Sequence, residues 1–172
     1  MLWRIFKAHV GQARAGLAVL RYLAAYRKAQ ETLRGSRVTD VLIQQRQLAL
    51  ACQCTGASQE TLLACVAKWM EQEPLDLLRA ARYPHLIEFL RSARARNIRL
   101  AALSDYDPAR KLEALGISAF FEVVASARDC DIRALKPDPS GLQVVLRRLG
   151  VHPAEAVYIG DRVELDAAAA KA

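Results

Sequence analysis

The chain has 172 residues, 53% of them hydrophobic and 25% charged, with a formal net charge of +7. That length suits a core domain with a smaller attachment, and the balanced composition excludes disordered, fibrous and low-complexity classes. No apolar run approaches the ~20 residues needed to cross a bilayer.

The basic excess gathers in residues 1–30, which hold Arg4, Lys7, Arg14, Arg21, Arg27 and Lys28 and no acid before Glu31. No pattern in this segment argues for a nucleic-acid surface, so these bases read as a solvated helix face. Neither nucleic acid nor membrane is expected as a partner. The greasy stretch 15–26 is interrupted by Arg21 and has no small-residue cleavage site after it, which argues against a signal peptide. Cys52, Cys54, Cys65 and Cys130 are not spaced as CxxC pairs, and His9, His85 and His152 complete no zinc pattern. Reduced thiols in a cytoplasmic protein are the expectation.

Residues 1–80 read as helix throughout. Apolar side chains recur at three- and four-residue steps, as in Leu17, Leu20, Leu23 and in Val41, Leu42, Leu48. Breaks fall near Gly35–Ser36, at Thr55–Ser58 and at Pro74. Asp40 after Thr39, and Ser58 ahead of Glu60 and Thr61, look like helix starts. The opening "MLWRIF" can serve as a makeshift strand through Leu2, Trp3, Ile5 and Phe6.

After about residue 83 the pattern alternates. Pro84 opens a helix to about Arg96, and Ile98–Leu103 reads as a strand. Asp107 and Pro108 start a helix ending at Gly116, and Phe121–Ala125 is a second strand. A helix runs from Pro139 to Leu149, Ala156–Ile159 is a third strand, and helix resumes at Val163. Short apolar strands alternating with helices predict an α/β fold: a parallel sheet covered on both faces, with its strands' carboxyl ends on one edge. Open α/β sheets bind ligands at that edge.

Three stretches meet there. "LSDY" puts Ser104 and Asp105 after the first strand. "LKPDP" carries Lys136 just before a helix start. "YIGDRVELD" places Asp161 and, five residues on, Asp166 after the third strand. A serine hydroxyl with the amides behind it can cradle an anion, and a lysine on a proline-stiffened loop is a point-charge phosphate binder. Paired carboxylates suit Mg²⁺, which wants hard oxygen ligands. Taken singly, each has an ordinary alternative: Ser104 in a turn, Lys136 on the surface, Asp161 as a helix cap, Asp166 solvated.

As an ordered set, these motifs resemble the second, third and fourth motifs of the haloacid dehalogenase-like (HAD) hydrolases. The resemblance covers about residues 80–172, and the helical first half is similar to that superfamily's inserted cap. It implies a Rossmann-like parallel sheet in residues 81–172, an incomplete HAD-like core, with an α-helical cap domain in residues 1–80. It also implies that Ser104 and Asp105 bind the transferring phosphoryl group, that Lys136 stabilises its charge, that Asp161 ligates Mg²⁺, and that Asp166 supports the metal. The family's reaction forms an aspartyl-phosphate that water releases. Dehalogenases of the superfamily use no metal, so the Asp161 and Asp166 pair points to phosphoryl transfer on a small phosphorylated metabolite.

One departure stands out. The family's nucleophile lies in an Asp-x-Asp strand ahead of the cap, but the first aspartate here is Asp40, in "RVTDVLIQQ", with no second aspartate two residues on. The expectation is therefore an internal piece of a longer enzyme, with negligible turnover as written and a gap where the first-motif strand would pair. The alternative is a non-catalytic, degenerate module that binds a phosphorylated ligand or a protein partner.

Overall fold

The computed structural model describes residues 2–8, 13–36 and 42–171. The chain divides into two compact units: Met1–Leu33 with Gln44–Leu77, and Arg34–Ile43 with Leu78–Ala172. The expected helix start at Thr39 and Asp40 lies outside the described residues.

The first unit is helical. It contains α1 (Leu2–Ala8), α2 (Ala13–Leu33), most of α3 (Ile43–Thr55) and α4 (Gln59–Val66), which runs on into π-helical turns at Ala67–Gln72. A short helix α5, Leu75–Leu78, ends the unit's second segment. Ser58 caps α4 by accepting a hydrogen bond from the Thr61 amide at 3.2 Å. Ile5, Tyr26, Ala51, Leu62, Val66 and Trp69 are buried. Burial of such side chains holds short helices that would be marginal alone. The opening residues form helix α1, not the strand expected for "MLWRIF". A lone strand leaves its amides and carbonyls unpaired, whereas a helix satisfies them internally. Arg4 fastens the unit by donating to the Glu73 carbonyl and to the Asp76 carboxylate, each at 2.7 Å.

The second unit is α/β. Two parallel strands, β1 (Ala101–Ser104) and β2 (Val123–Ser126), pair in register from Ala101 opposite Val123 to Ser104 opposite Ser126. Alternation sorts their side chains. Ala101, Leu103, Val123 and Ala125 pack with Val144, Val145 and Leu149 of α8 (Ser140–Leu149). Ala102 and Val124 face Leu90 of α6 (Leu86–Ala95) and Leu112 of α7 (Ala109–Leu115). Both faces of the sheet are therefore covered, as a parallel sheet requires. Gly116 and Gly150 end α7 and α8 in the left-handed region, at φ 70° and 64°.

The expected third strand is absent. Residues 156–160 run without regular structure, and Val157 and Ile159 are 88% and 77% exposed. Only Tyr158 between them is half-buried. The period-2 pattern survives, but no neighbouring strand among the described residues offers it a ladder. Helix resumes with π turns at Val163–Ala167 and a short α9, Ala168–Lys171. No helix among the described residues is long and apolar enough to cross a membrane.

Candidate functional site

The carboxyl ends of β1 and β2 turn by the same device. Ser104 Oγ accepts a hydrogen bond from the Tyr106 amide at 3.2 Å, and Ser126 Oγ accepts one from the Arg128 amide at 3.2 Å. A hydroxyl bonding two residues on mimics a backbone turn. Among the described residues Ser104 uses only an acceptor site, so its O–H proton stays available for donation.

Asp105 follows. Its side chain is 12% exposed, and both oxygens are engaged by the protein. Oδ1 accepts from the Lys136 amide at 3.2 Å, and Oδ2 accepts from Arg34 Nη1 at 2.8 Å. The carboxylate thus braces two loops against each other.

Lys136 sits where "LKPDP" approaches α8, with Asp138 Oδ1 accepting from the Ser140 amide at 2.8 Å to start that helix. Its ammonium is 2.6 Å from Asp166 Oδ1 and 3.3 Å from the Tyr158 hydroxyl. Tyr158 donates to the same Asp166 oxygen at 2.8 Å, while Oδ2 accepts from the Arg162 amide at 2.9 Å. Asp166 is only 3% exposed. Burial pushes its carboxyl upward, but the bonds from Lys136, the Arg162 amide and Tyr158 outweigh that and hold its pKa at about 2. Burial also works against the Lys136 ammonium, and there too Asp166 and Tyr158 win, raising its pKa above the ordinary lysine value. Burial pushes the Tyr158 phenol up.

Gly160 has a reason of its own. A Cβ built there would overlap Cβ, Cγ and Oδ2 of Asp166. The glycine in "YIGD" therefore admits Asp166. Gly160→Ala is expected to expel the Asp166 carboxylate from its place beside Lys136 and to cost about 1–3 kcal/mol, as overpacking does. Urea unfolding at neutral pH checks it; a loss under about 0.5 kcal/mol contradicts the packing.

Of the residues singled out in the sequence, Asp105, Lys136 and Asp166 share one hydrogen-bonded network, and Ser104 directly precedes Asp105. Asp161 stays outside. It is exposed, and its carboxylate has no hydrogen-bond partner among the described residues. Mg²⁺ takes one or two carboxylates and keeps several waters. Among the described residues no group of three or more Asp, Glu, His or Cys gathers around one point. Asp166 is engaged by Lys136, Tyr158 and the Arg162 amide.

Arg34, Tyr158 and Ser126 belong to this edge but were not among the predicted site residues. Tyr158 carried a faint signal, a hydroxyl inside an otherwise apolar run. Arg34 carried none, being one base among many.

Comparison with known proteins agrees with this architecture. The family model of haloacid dehalogenase-like hydrolases matches residues 13–172. A glyceraldehyde 3-phosphate phosphatase of Methanopyrus kandleri is 37% identical over 87 residues, which are 49% of this chain and 36% of the relative. The phosphoglycolate phosphatase of Escherichia coli is 32% identical over 92 residues, 51% of this chain and 36% of the relative. These matches thus span little more than a third of the curated relatives' lengths. A solved β-phosphoglucomutase-like protein of Thermotoga maritima superposes with a TM-score of 0.54 at 23% identity, covering 87% of this chain and 72% of that one. It shares the α/β fold seen here. With a family model matched from residue 13 to residue 172, the chain belongs to the haloacid dehalogenase-like hydrolases.

Proposed function

We propose that this chain carries the phosphoryl-binding edge of a phosphatase acting on a small phosphorylated metabolite. The observation that carries the reading is the network in which Asp105 ties the Ser104 turn to Lys136 and Lys136 pairs with buried Asp166. The Ser104 O–H is free to donate, and Lys136 has a third N–H beyond the two given to Asp166 and Tyr158. A phosphoryl group would take both, with the lysine charge offsetting its own. Relatives named as phosphatases of glyceraldehyde 3-phosphate and of phosphoglycolate support the substrate class.

On this reading the helical unit acts as a cap that selects the substrate. Asp161 is the exposed carboxylate open to Mg²⁺. The free thiols Cys52, Cys54, Cys65 and Cys130 suit a reducing, cytoplasmic setting.

The family's aspartate nucleophile has no counterpart among the residues of this chain that the motifs single out. A version extended at its N-terminus by a strand bearing Asp-x-Asp is expected to release phosphate from a panel of phosphorylated metabolites, whereas this chain alone releases next to none. Equal rates from the two would defeat the reading. The alternative is a non-catalytic module that binds a phosphorylated ligand. In that case the extended version also stays inactive while phosphate binding persists.

A further inference from the structure

We propose that Arg34 is the positioning residue for Lys136. The inference rests on reading Lys136 as the phosphoryl-binding cation, and it adds the group that holds that cation's loop. Arg34 is the first residue of the second unit, directly after Leu33 ends α2. Its Nη1 donates to Asp105 Oδ2 at 2.8 Å and to the Lys136 carbonyl at 2.7 Å. Asp105 Oδ1 in turn accepts from the Lys136 amide at 3.2 Å. Both backbone polar groups of Lys136 are therefore held by one ion pair, the N–H by Asp105 and the C=O by Arg34.

The pair is shielded. The Arg34 and Asp105 side chains are 11% and 12% exposed, so solvent screens their attraction little. Two consequences follow for Lys136. Its backbone cannot drift, which fixes where its side chain starts. Asp105 is in turn held in place by Arg34, so the acceptor of the Lys136 amide is itself fixed. The two N–H bonds of one guanidinium nitrogen reach two acceptors at once, which a rigid planar head does at low entropic cost.

The loss of Arg34 should therefore appear at Lys136 before anywhere else. Amide hydrogen exchange, resolved by residue in the full chain, provides the test. In Arg34→Ala the Lys136 amide is expected to exchange at least about tenfold faster, because its acceptor Asp105 is released. The β2 amides, bonded within the sheet, should stay within twofold of the parent. Arg34→Lys keeps the charge and should recover most of the protection. If Arg34→Ala fails to fold, Arg34→Met, which keeps the aliphatic stem and removes both N–H bonds, replaces it and should expose the same amide. Inorganic phosphate titrated onto the same proteins gives the second arm, with affinity expected to fall about tenfold in Arg34→Ala, the loss of one charge-assisted hydrogen bond's worth of alignment. Lys136 exchange unchanged in Arg34→Ala, or accelerated no more than β2, overturns the positioning role. Absence of phosphate binding by the parent overturns the phosphoryl reading instead, and the exchange arm then decides the role of Arg34 by itself.

Discussion

Lys136→Ala is expected to destabilise the fold by about 2–4 kcal/mol, toward the lower end of the cost of stripping one partner from a buried ion pair. Asp166 is almost wholly buried and receives its shortest bond, 2.6 Å, from the Lys136 ammonium. Without it the carboxylate retains only the Arg162 amide and the Tyr158 hydroxyl. The remaining charge would sit in a poorly solvated place with half its compensation gone. Urea unfolding at neutral pH measures the loss. Changing Lys136 and Asp166 together, to Met and Leu, should cost markedly less than Lys136→Ala alone, since no charge is then stranded. A single-variant loss below about 1 kcal/mol would show that the pair is solvated and weakly coupled.

Acid should undo the same pair in a defined window. Asp166 has a folded-state pKa of about 2, against an ordinary aspartate value of about 3.9. A depressed folded value means that the folded state holds the ionised form more tightly than the unfolded chain does. The resulting stability is present above pH ~4 and lost as pH falls through ~2; the two-unit shift corresponds to about 2.5 kcal/mol. Asp166→Asn removes this titration. The stability gap between the parent and Asp166→Asn should therefore be constant near neutral pH and close between pH ~4 and pH ~2. A gap that stays open down to pH ~2 would mean that the carboxyl is not held ionised by Lys136 and its companions.

Much of the α/β unit could be read from residues. Period-2 apolar runs bounded by Gly116, Gly150 and the Pro108 and Pro139 helix starts marked β1, β2, α7 and α8 to within a few positions. Those signals are local: a glycine free to take positive φ, a proline with fixed φ, alternation between two buried faces. The strand at Ala156–Ile159 had the same local signature and still failed to form. A strand's hydrogen bonds lie on its neighbours, and nothing in "AVYIG" says whether a neighbour is present. The opening "MLWRIF" went the other way for the same reason, becoming helix where a strand had no ladder to join.

The site shows a similar division. Motif spacing pointed to Lys136 and Asp166, because their residue types and order carry chemistry. The family resemblance implies metal support for Asp166; what no motif discloses is that its oxygens accept from Lys136, Tyr158 and the Arg162 amide. Nor does any motif disclose that both oxygens of Asp105 accept from Arg34 and the Lys136 amide. Those partners are 71 and 31 residues away along the chain, beyond the reach of any spacing rule. The role of Gly160 was hidden likewise: the atoms it must not meet belong to Asp166 and depend on how the chain folds back over itself.

The central claim is that Ser104 and Lys136 form a receptor for a phosphoryl dianion. Titration of inorganic phosphate into isotope-labelled chain, followed residue by residue by NMR, tests it most directly. Saturable shifts confined to Ser104–Tyr106 and Lys136, and abolished in Lys136→Ala, are the predicted result. Shifts that track the basic residues 4–28 instead, or that survive unchanged in Lys136→Ala, would contradict it.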